Sequence, residues 1–439
     1  MILLSTSAKV KKNTIFAKPK TRVFYIKTNI MIKISHKSEQ MPASAIRKLV
    51  PFADAAKAEG VKVYHLNVGQ PDIKSPQCAL DAVRKNNLDH VSYTNSAGLI
   101  ELRKGLVEKY YRKIGIDIDV PELIVTVAGS EGVNLSLQIT CDEGDEVIVL
   151  EPFYTNYNTF AFMNGVTLKA VPTDIRNGFK VPDMSEFEKL ITPRTKAILI
   201  SNPGNPTGTL YTKENMLALG EIAKKHDLFL ISDEVYREFC YTDEPHFSAM
   251  NIPGLEQNVI LIDSVSKRYN LCGSRIGCII SHNQDVMKAA MKYAQARLCP
   301  PVFGQLAAIG ALDTPDEYFK EVREEYIRRR DYMVSRLNNM PGVYSPLPMG
   351  AFYTVAEIPV DNAENFAKWM LTEFRYEGQT TMVTPAASFY KTPGKGTNHI
   401  RVAYVLEIPE LEKALDVLEK GLSEYPGKMK YFQNLRNQH

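Results

Sequence analysis

Lys267 is the side chain in this sequence best suited to covalent chemistry. It lies in DSVSKRYNLCGSRIG (263–277), directly after an apolar run, NVILID (258–263), with the composition of a buried strand. A lysine in the tight turn past such a strand reaches the carboxyl edge of a sheet, where open α/β sheets bind ligands. Ser264 and Ser266 precede it and Arg275 follows. One amine among donors suited to phosphate suggests a Schiff-base lysine beside a phosphorylated cofactor. A surface lysine and arginine in a polar loop would give the same string, so the other strand ends must decide.

Four more apolar runs end in comparable residues. Run 123–127 leads into Ala128, Gly129, Ser130, Glu131 and Gly132, opening a helix whose first N–H groups and Ser130 hydroxyl could hold a phosphate. Glycine and serine also make ordinary caps there. Run 146–150 leads to Tyr154 and Tyr157, and an aromatic at a strand end either fills core or lies against a planar ligand. Run 196–200 leads to SNPGNPTG (201–208), where two prolines and two glycines impose a defined loop, with either X-Pro bond a candidate for the cis form. Asn205 is then held ready to donate to a phenolate-like oxygen, or the loop is simply a crossover. After run 228–232 come Asp233 and, three residues on, Tyr236. A carboxylate at the deep end of a buried strand must be paired, and a pyridinium N–H is one such partner.

The elements that would position these residues follow from hydrophobic period. Seven strand-like runs (123–127, 146–150, 166–171, 196–200, 228–232, 258–263 and 276–280), separated in part by helical stretches, predict a mostly parallel seven-stranded sheet with helices on both faces. Helices are expected over 43–58, over 98–114 from Leu99, Leu102, Leu106, Tyr110 and Ile114, and after Thr212 as an N-cap. A charged helix over 314–340 should bridge to a smaller α+β domain, with strands near 350–356, 380–384 and 399–405 and helices over 363–374 and 408–422. The expected division is an extension (1–40), a segment joining the small domain (41–70), a large domain (71–325), a small domain (326–425) and a tail (426–439).

Composition narrows the classes of function. The 439 residues are 44% hydrophobic and 23% charged, ordinary for a globular chain of two or three domains. The net charge of +3 hides an asymmetry: residues 1–30 hold seven basic residues and no acidic ones, leaving the rest at −4. A weakly acidic body argues against a nucleic-acid surface. Those first 30 residues lack a secretory apolar core and are expected to be disordered or to precede the true start at Met31. No apolar run is long enough to span a bilayer, and the six cysteines make no CxxC pair or metal cluster, as in a cytoplasmic protein with free thiols.

The motifs YTNSAGLIELR (93–103), SNPGNPTG, SDEVY (232–236), DSVSKRYNLCGSRIG and HIRVAYV (399–405), in this order, resemble the class I/II aminotransferases of the aspartate aminotransferase superfamily over about 41–422. The resemblance implies the type I fold of pyridoxal-phosphate enzymes, and pyridoxal 5'-phosphate as cofactor. Lys267 would carry the cofactor and shuttle the proton, Asp233 would keep the pyridine nitrogen protonated, and Asn205 with Tyr236 would hold the ring's O3′. Tyr154 would stack on the ring. Gly129, Ser130, Ser264, Ser266 and Arg275 would face the phosphate. Tyr93 would reach the phosphate of the neighbouring subunit in a homodimer with shared sites. Arg401 and Gly69 would take the substrate α-carboxylate, for which a guanidinium fork suits better than an ammonium.

Departures bear on specificity. Gly204 stands where many relatives have asparagine, and Arg297 is the one arginine near the region that brings a distal-carboxylate arginine in the best-known aspartate enzymes. A solvated helix-end arginine is the favoured reading of Arg297. The expected reaction is transamination between an amino acid and a 2-oxo acid, first aspartate with 2-oxoglutarate, then aromatic amino acids, alanine or methionine. The alternatives with the same cofactor are a C–S lyase, a decarboxylase or a cyclopropane-forming synthase. A sensor domain of a transcription regulator would need a DNA-binding module, for which some 40 preceding residues are too few. No metal, nucleic-acid or membrane partner is expected.

Overall fold

The computed structural model describes residues 32–44 and 46–428. The expectations for residues 1–30, and for the basic tail beyond Lys428, lie outside the described residues. The chain divides into two units, Met1–Gln40 and Met41–His439. The described part of the first holds one short helix, His36–Gln40, with its side chains exposed.

In the second unit a helix at Val50–Ala58 precedes strand β1 (Lys62–His65). The helix starts later than the hydrophobic pattern suggests, with Pro51 in its first turn, where the missing N–H costs nothing. The next seven strands are β2 (Leu123–Thr126), β3 (Glu146–Glu151), β4 (Thr167–Pro172), β5 (Thr195–Ser201), β6 (Phe229–Asp233), β7 (Val259–Ser264) and β8 (Gly277–Ile280). They form one sheet in the order β2-β8-β7-β6-β5-β3-β4. All neighbours are parallel except β8, which runs against both β2 and β7.

Successive strand residues point to opposite faces, and both faces are buried. Ile148, Ile198, Ile200, Leu230 and Leu261 join one core with the helices Lys213–Lys225 and Val302–Ala311. Val147, Val149, Leu199, Ile231 and Ile262 join a second with the helices Ala128–Thr140 and Gln284–Arg297. This explains why the strands read as continuous apolar runs. The run expected over 98–114 is helical from Ile100, but widens to a π-type segment at Leu106–Tyr111 and tightens again at Arg112–Ile114. The widening turns Val107 and Tyr111 inward beside Leu106 and Tyr110, and leaves Ile114 39% exposed, contrary to the expected apolar stripe.

A third core gathers Tyr326, Met333 and Leu337 of the long helix Asp316–Asn339 with β9 (Tyr353–Glu357), β10 (Gln379–Met382) and β12 (His399–Ala403). Strand β11 (Thr384–Pro385) completes a three-stranded antiparallel sheet, β11-β12-β9, while β1 pairs in parallel with β10. Phe319, near the start of the long helix, packs instead on the first core of the large sheet. That helix therefore links the two hydrophobic bodies.

Candidate active site

Strands β2, β3, β5, β6 and β7 share one direction, so Gly129, Tyr154, Asn205, Asp233 and Lys267 come to the same carboxyl edge. Lys267 sits directly past the end of β7, as expected, but in a helical turn rather than a tight loop. It lies in a four-residue helix, Val265–Arg268, capped by the Ser264 hydroxyl accepting from the Ser266 N–H. The Lys267 amine donates to the Gly69 carbonyl at 2.8 Å and lies 3.6 Å from Cys272 Sγ.

The phosphate-side residues draw together around β7 and β8. Ser264 Oγ donates to Ile276 O at 2.9 Å and lies 2.8 Å from Ser266 Oγ. A Cβ at Gly129 would stand 3.1 Å from a Val235 methyl and 3.9 Å from Ser264, so a side chain here would press on Val235. The Ala128 N–H donates to Arg275 O, tying the Arg275 turn to the same place. Arg275 itself is exposed, with φ of 56° and its guanidinium donating to Cys272 O. Ser130 follows Gly129 in the first helical turn, partly buried. Tyr93 is not gathered into this cluster; it is 79% exposed.

Asp233 ends β6, 7% exposed, and accepts from the Tyr157 hydroxyl at 2.8 Å and weakly from the Val235 N–H at 3.4 Å. Burial pushes its carboxyl up to about 6, and those two hydrogen bonds offset only part of the cost. Asp263 is buried too, yet the charges of Arg268 and Arg237 outweigh its burial and hold it below the usual carboxylate range. Asp263 has its cations, whereas Asp233 has no ion-pair partner among the described residues. The sign follows from linkage: a raised pKa contributes stability that is present below the unfolded value and lost as pH rises through about 6. The cofactor-free Asp233→Asn variant should therefore gain on the native protein by roughly 2 kcal/mol between pH 4 and pH 7. Urea midpoints measured at both pH values check this, and a gap independent of pH would refute it.

Arg401, on β12, is 1% exposed. Its Nη1 donates to Asn205 Oδ1 at 3.1 Å and its Nη2 to Asn67 O at 2.6 Å. With its oxygen so engaged, Asn205 presents its NH₂ group as a donor. The Arg401 Nε and Asn67 Nδ2 are buried donors without an acceptor among the described residues. The segment carrying Asn67 and Gly69 is held over β12 by Ala403 N–H donating to Leu66 O. Tyr236 is buried, with its hydroxyl 3.1 Å from that of Tyr353. Burial holds the Tyr236 phenol well above its ordinary pKa and pushes that of Tyr154 up to about 12, so both are neutral donors. Both X-Pro bonds of the 201–208 loop are cis.

Arg297 corrects an expectation. It is not a solvated helix end: its Nη2 donates to Ser96 O at 3.0 Å and Val125 O at 3.3 Å, and its Nε lies 3.3 Å from Glu131. Sequence reasoning also missed Asn67, Tyr353 and the pairing of Tyr157 with Asp233. Tyr353 had one available signal, an aromatic opening the strand beside the Arg401 strand, but the pairing Tyr353 with Ala403 is visible only in the sheet. Among the described residues no His, Cys, Asp and Glu cluster could hold a metal, and no helix is long and apolar enough to cross a membrane.

The family described as Aminotransferase class I and II matches residues 61–418. The chain is 32% identical to an aspartate aminotransferase of Pyrococcus horikoshii over 385 residues, covering 86% of this chain and 94% of the relative. It is 30% identical to aromatic-amino-acid aminotransferase 2 of Thermococcus litoralis over 398 residues, 89% and 98% of the two chains. A solved alanine aminotransferase from Pyrococcus furiosus superimposes with a TM-score of 0.80 at 32% identity, over 89% of this chain and all of the other. With the parallel sheet and its lysine-bearing edge, these likenesses establish that the chain belongs to the class I and II aminotransferases and is a pyridoxal-phosphate-dependent aminotransferase.

Proposed function

We propose that the exchange pair is L-aspartate and 2-oxoglutarate, on pyridoxal 5'-phosphate held at the carboxyl edge of the large sheet. The observation that carries the site reading is a continuous chain of contacts. The Lys267 amine touches the Gly69 carbonyl, Gly69 abuts Tyr353, and Tyr353 adjoins both Tyr236 and the Arg401 guanidinium. Asp233 supports the cofactor assignment, since a buried carboxylate raised by desolvation is stabilised by a cationic ring N–H. When bound, the cofactor supplies an electron sink for charge at the substrate Cα.

The chain's own residues do the rest. Lys267, whose amine donates to the Gly69 carbonyl, would hold and move the proton at the substrate Cα. With the cofactor bound, Asp233 would keep the ring nitrogen protonated, and the Asn205 NH₂ and Tyr236 hydroxyl would donate to the ring oxygen. Tyr154 would cover the ring, and Gly129, Ser130, Ser264, Ser266 and Arg275 would hold the phosphate. Arg401 Nε and Asn67 Nδ2, buried and unmatched, suit a carboxylate, which would orient donor and acceptor alike. The functional unit is a cytoplasmic homodimer in which the exposed Tyr93 reaches the neighbouring subunit's phosphate.

Aspartate is favoured by the aspartate aminotransferases among the relatives. Arg297 favours a second reading, an aromatic amino acid, alanine or methionine as donor, because its charge is already paired with Glu131 and its Nη2 is taken by the Ser96 and Val125 carbonyls, which leaves Nη1 as its one donor with neither contact. Single amino acids added to the loaded enzyme, followed by the cofactor's absorbance change, rank the donors. Aspartate should give the highest kcat/KM. Were tyrosine or alanine faster by about a hundredfold, the scale of an unmatched buried carboxylate, the second reading would replace the first. Catalytic release of oxo acid with no acceptor present would indicate a lyase instead.

A further inference from the structure

Tyr353 has no role in the resemblance, yet it touches three parts of the site. It opens β9, 3% exposed, and its ring centroid lies 4.5 Å from Arg401 Cζ, with Phe389 flanking the same guanidinium at 5.2 Å. Its hydroxyl is 3.1 Å from that of Tyr236. A Cβ built on Gly69 would fall 1.5 Å from the Tyr353 hydroxyl oxygen, so the phenol fills the space that a side chain at 69 would need.

The backbone leading to Tyr353 is fixed by the large sheet's loops. The Gly350 N–H donates to Gly208 O and the Ala351 N–H to Phe239 O. A Cβ at Gly350 would stand 2.6 Å from Pro203 of the loop that carries Asn205. Tyr353 therefore has little freedom to retreat.

We propose that Tyr353 is a positioning residue with two separable parts: its ring face orients Arg401 toward the substrate carboxylate, and its hydroxyl orients the Tyr236 phenol toward the cofactor. This rests on the role proposed for Arg401 and Tyr236. A guanidinium over an aromatic face is held in plane and weakly hydrated, the state in which a fork of donors meets a carboxylate without first rearranging. Either hydroxyl can donate in this pair; with Tyr353 as donor, the Tyr236 phenol accepts and its own proton is directed elsewhere, toward the ring oxygen.

Two substitutions separate the parts. Tyr353→Phe keeps the ring and removes the hydroxyl; Tyr353→Leu removes both. The first readout is the Kd of 2-oxoglutarate for the enzyme loaded with pyridoxal phosphate, by calorimetry with no amino donor present. Tyr353→Leu should weaken it about five- to tenfold, and Tyr353→Phe should leave it within about twofold. The second readout is the pH titration of the bound cofactor's absorbance, which Tyr353→Phe should shift by about half a unit to one unit.

Arg401→Lys serves as the reference. If it weakens 2-oxoglutarate binding while Tyr353→Leu, folded by circular dichroism, does not, the ring role is wrong and the role of Arg401 stands. If neither changes the Kd, the assignment of Arg401 itself fails. An unshifted titration in Tyr353→Phe overturns the hydroxyl role, and that conservative variant keeps the question open to experiment even if Tyr353→Leu does not fold.

Discussion

Lys267→Ala should lower kcat about 10⁴-fold, the upper end of what a single acid–base group contributes, while leaving the fold intact. The large effect follows from the absence of a substitute: Gly69 offers a carbonyl and Cys272 a thiol beside the amine, and neither can replace it as base and as covalent attachment. The small effect on folding follows from position. The Lys267 side chain is only partly buried, and the short helix that bears it is anchored by Val265, Ser266 and Arg268, all buried. Borohydride treatment of the native enzyme loaded with pyridoxal phosphate should leave the cofactor covalently attached at Lys267, read by peptide mass mapping. In the alanine variant that peptide should be unlabelled. Attachment at another lysine, or a kcat within tenfold of native, would end the proposed mechanism.

The largest effect on stability is expected from Asp263→Ala, about 3–5 kcal/mol. Asp263 is fully buried and accepts from the Tyr111 hydroxyl at 2.7 Å and from Arg268 Nη2, with Arg237 Nη1 3.7 Å away. Arg268 keeps Glu238 at 3.2 Å and Arg237 keeps Glu234 at 2.6 Å, but the buried guanidiniums lose the anion between them. Each guanidinium loses one of its two anions and the Tyr111 hydroxyl loses its acceptor, and breaking such a buried network costs more than its intact pairs contribute. Asp263→Asn, which retains an acceptor, should cost less. Urea unfolding of the cofactor-free proteins measures both, and a loss under about 1 kcal/mol for the alanine variant would show the network to be replaceable.

Much of this arrangement was legible in the residues. The large sheet's strands fall within a residue or two of their apolar runs because both faces are buried, and a buried strand has no polar side to blur its ends. The candidate residues at strand termini share an edge because a parallel sheet leaves them no other place. What stayed hidden depends on pairing across distance. Tyr157 meets Asp233 across 76 positions and Arg401 meets Asn205 across 196, and neither separation has a local signature. Arg297 looked like a helix end open to water because nothing nearby in sequence announces that Ser96, Val125 and Glu131 will close around it. In the apolar stripe over 98–114, Leu102, Leu106 and Tyr110 are buried, but its period assumed a uniform helix, and the π-type widening also turns Val107 and Tyr111 inward and leaves Ile114 outside.

The Asp263–Arg268 pair spans the lysine on the chain, one residue beyond it and four before. With the main chain moored on both sides, the amine cannot be brought nearer or withdrawn by shifting the loop, and its travel is confined to rotation about its own methylenes. Tether length then becomes a design constant of the site. An analogue such as ornithine at 267 would fall short by one carbon that no backbone adjustment could return.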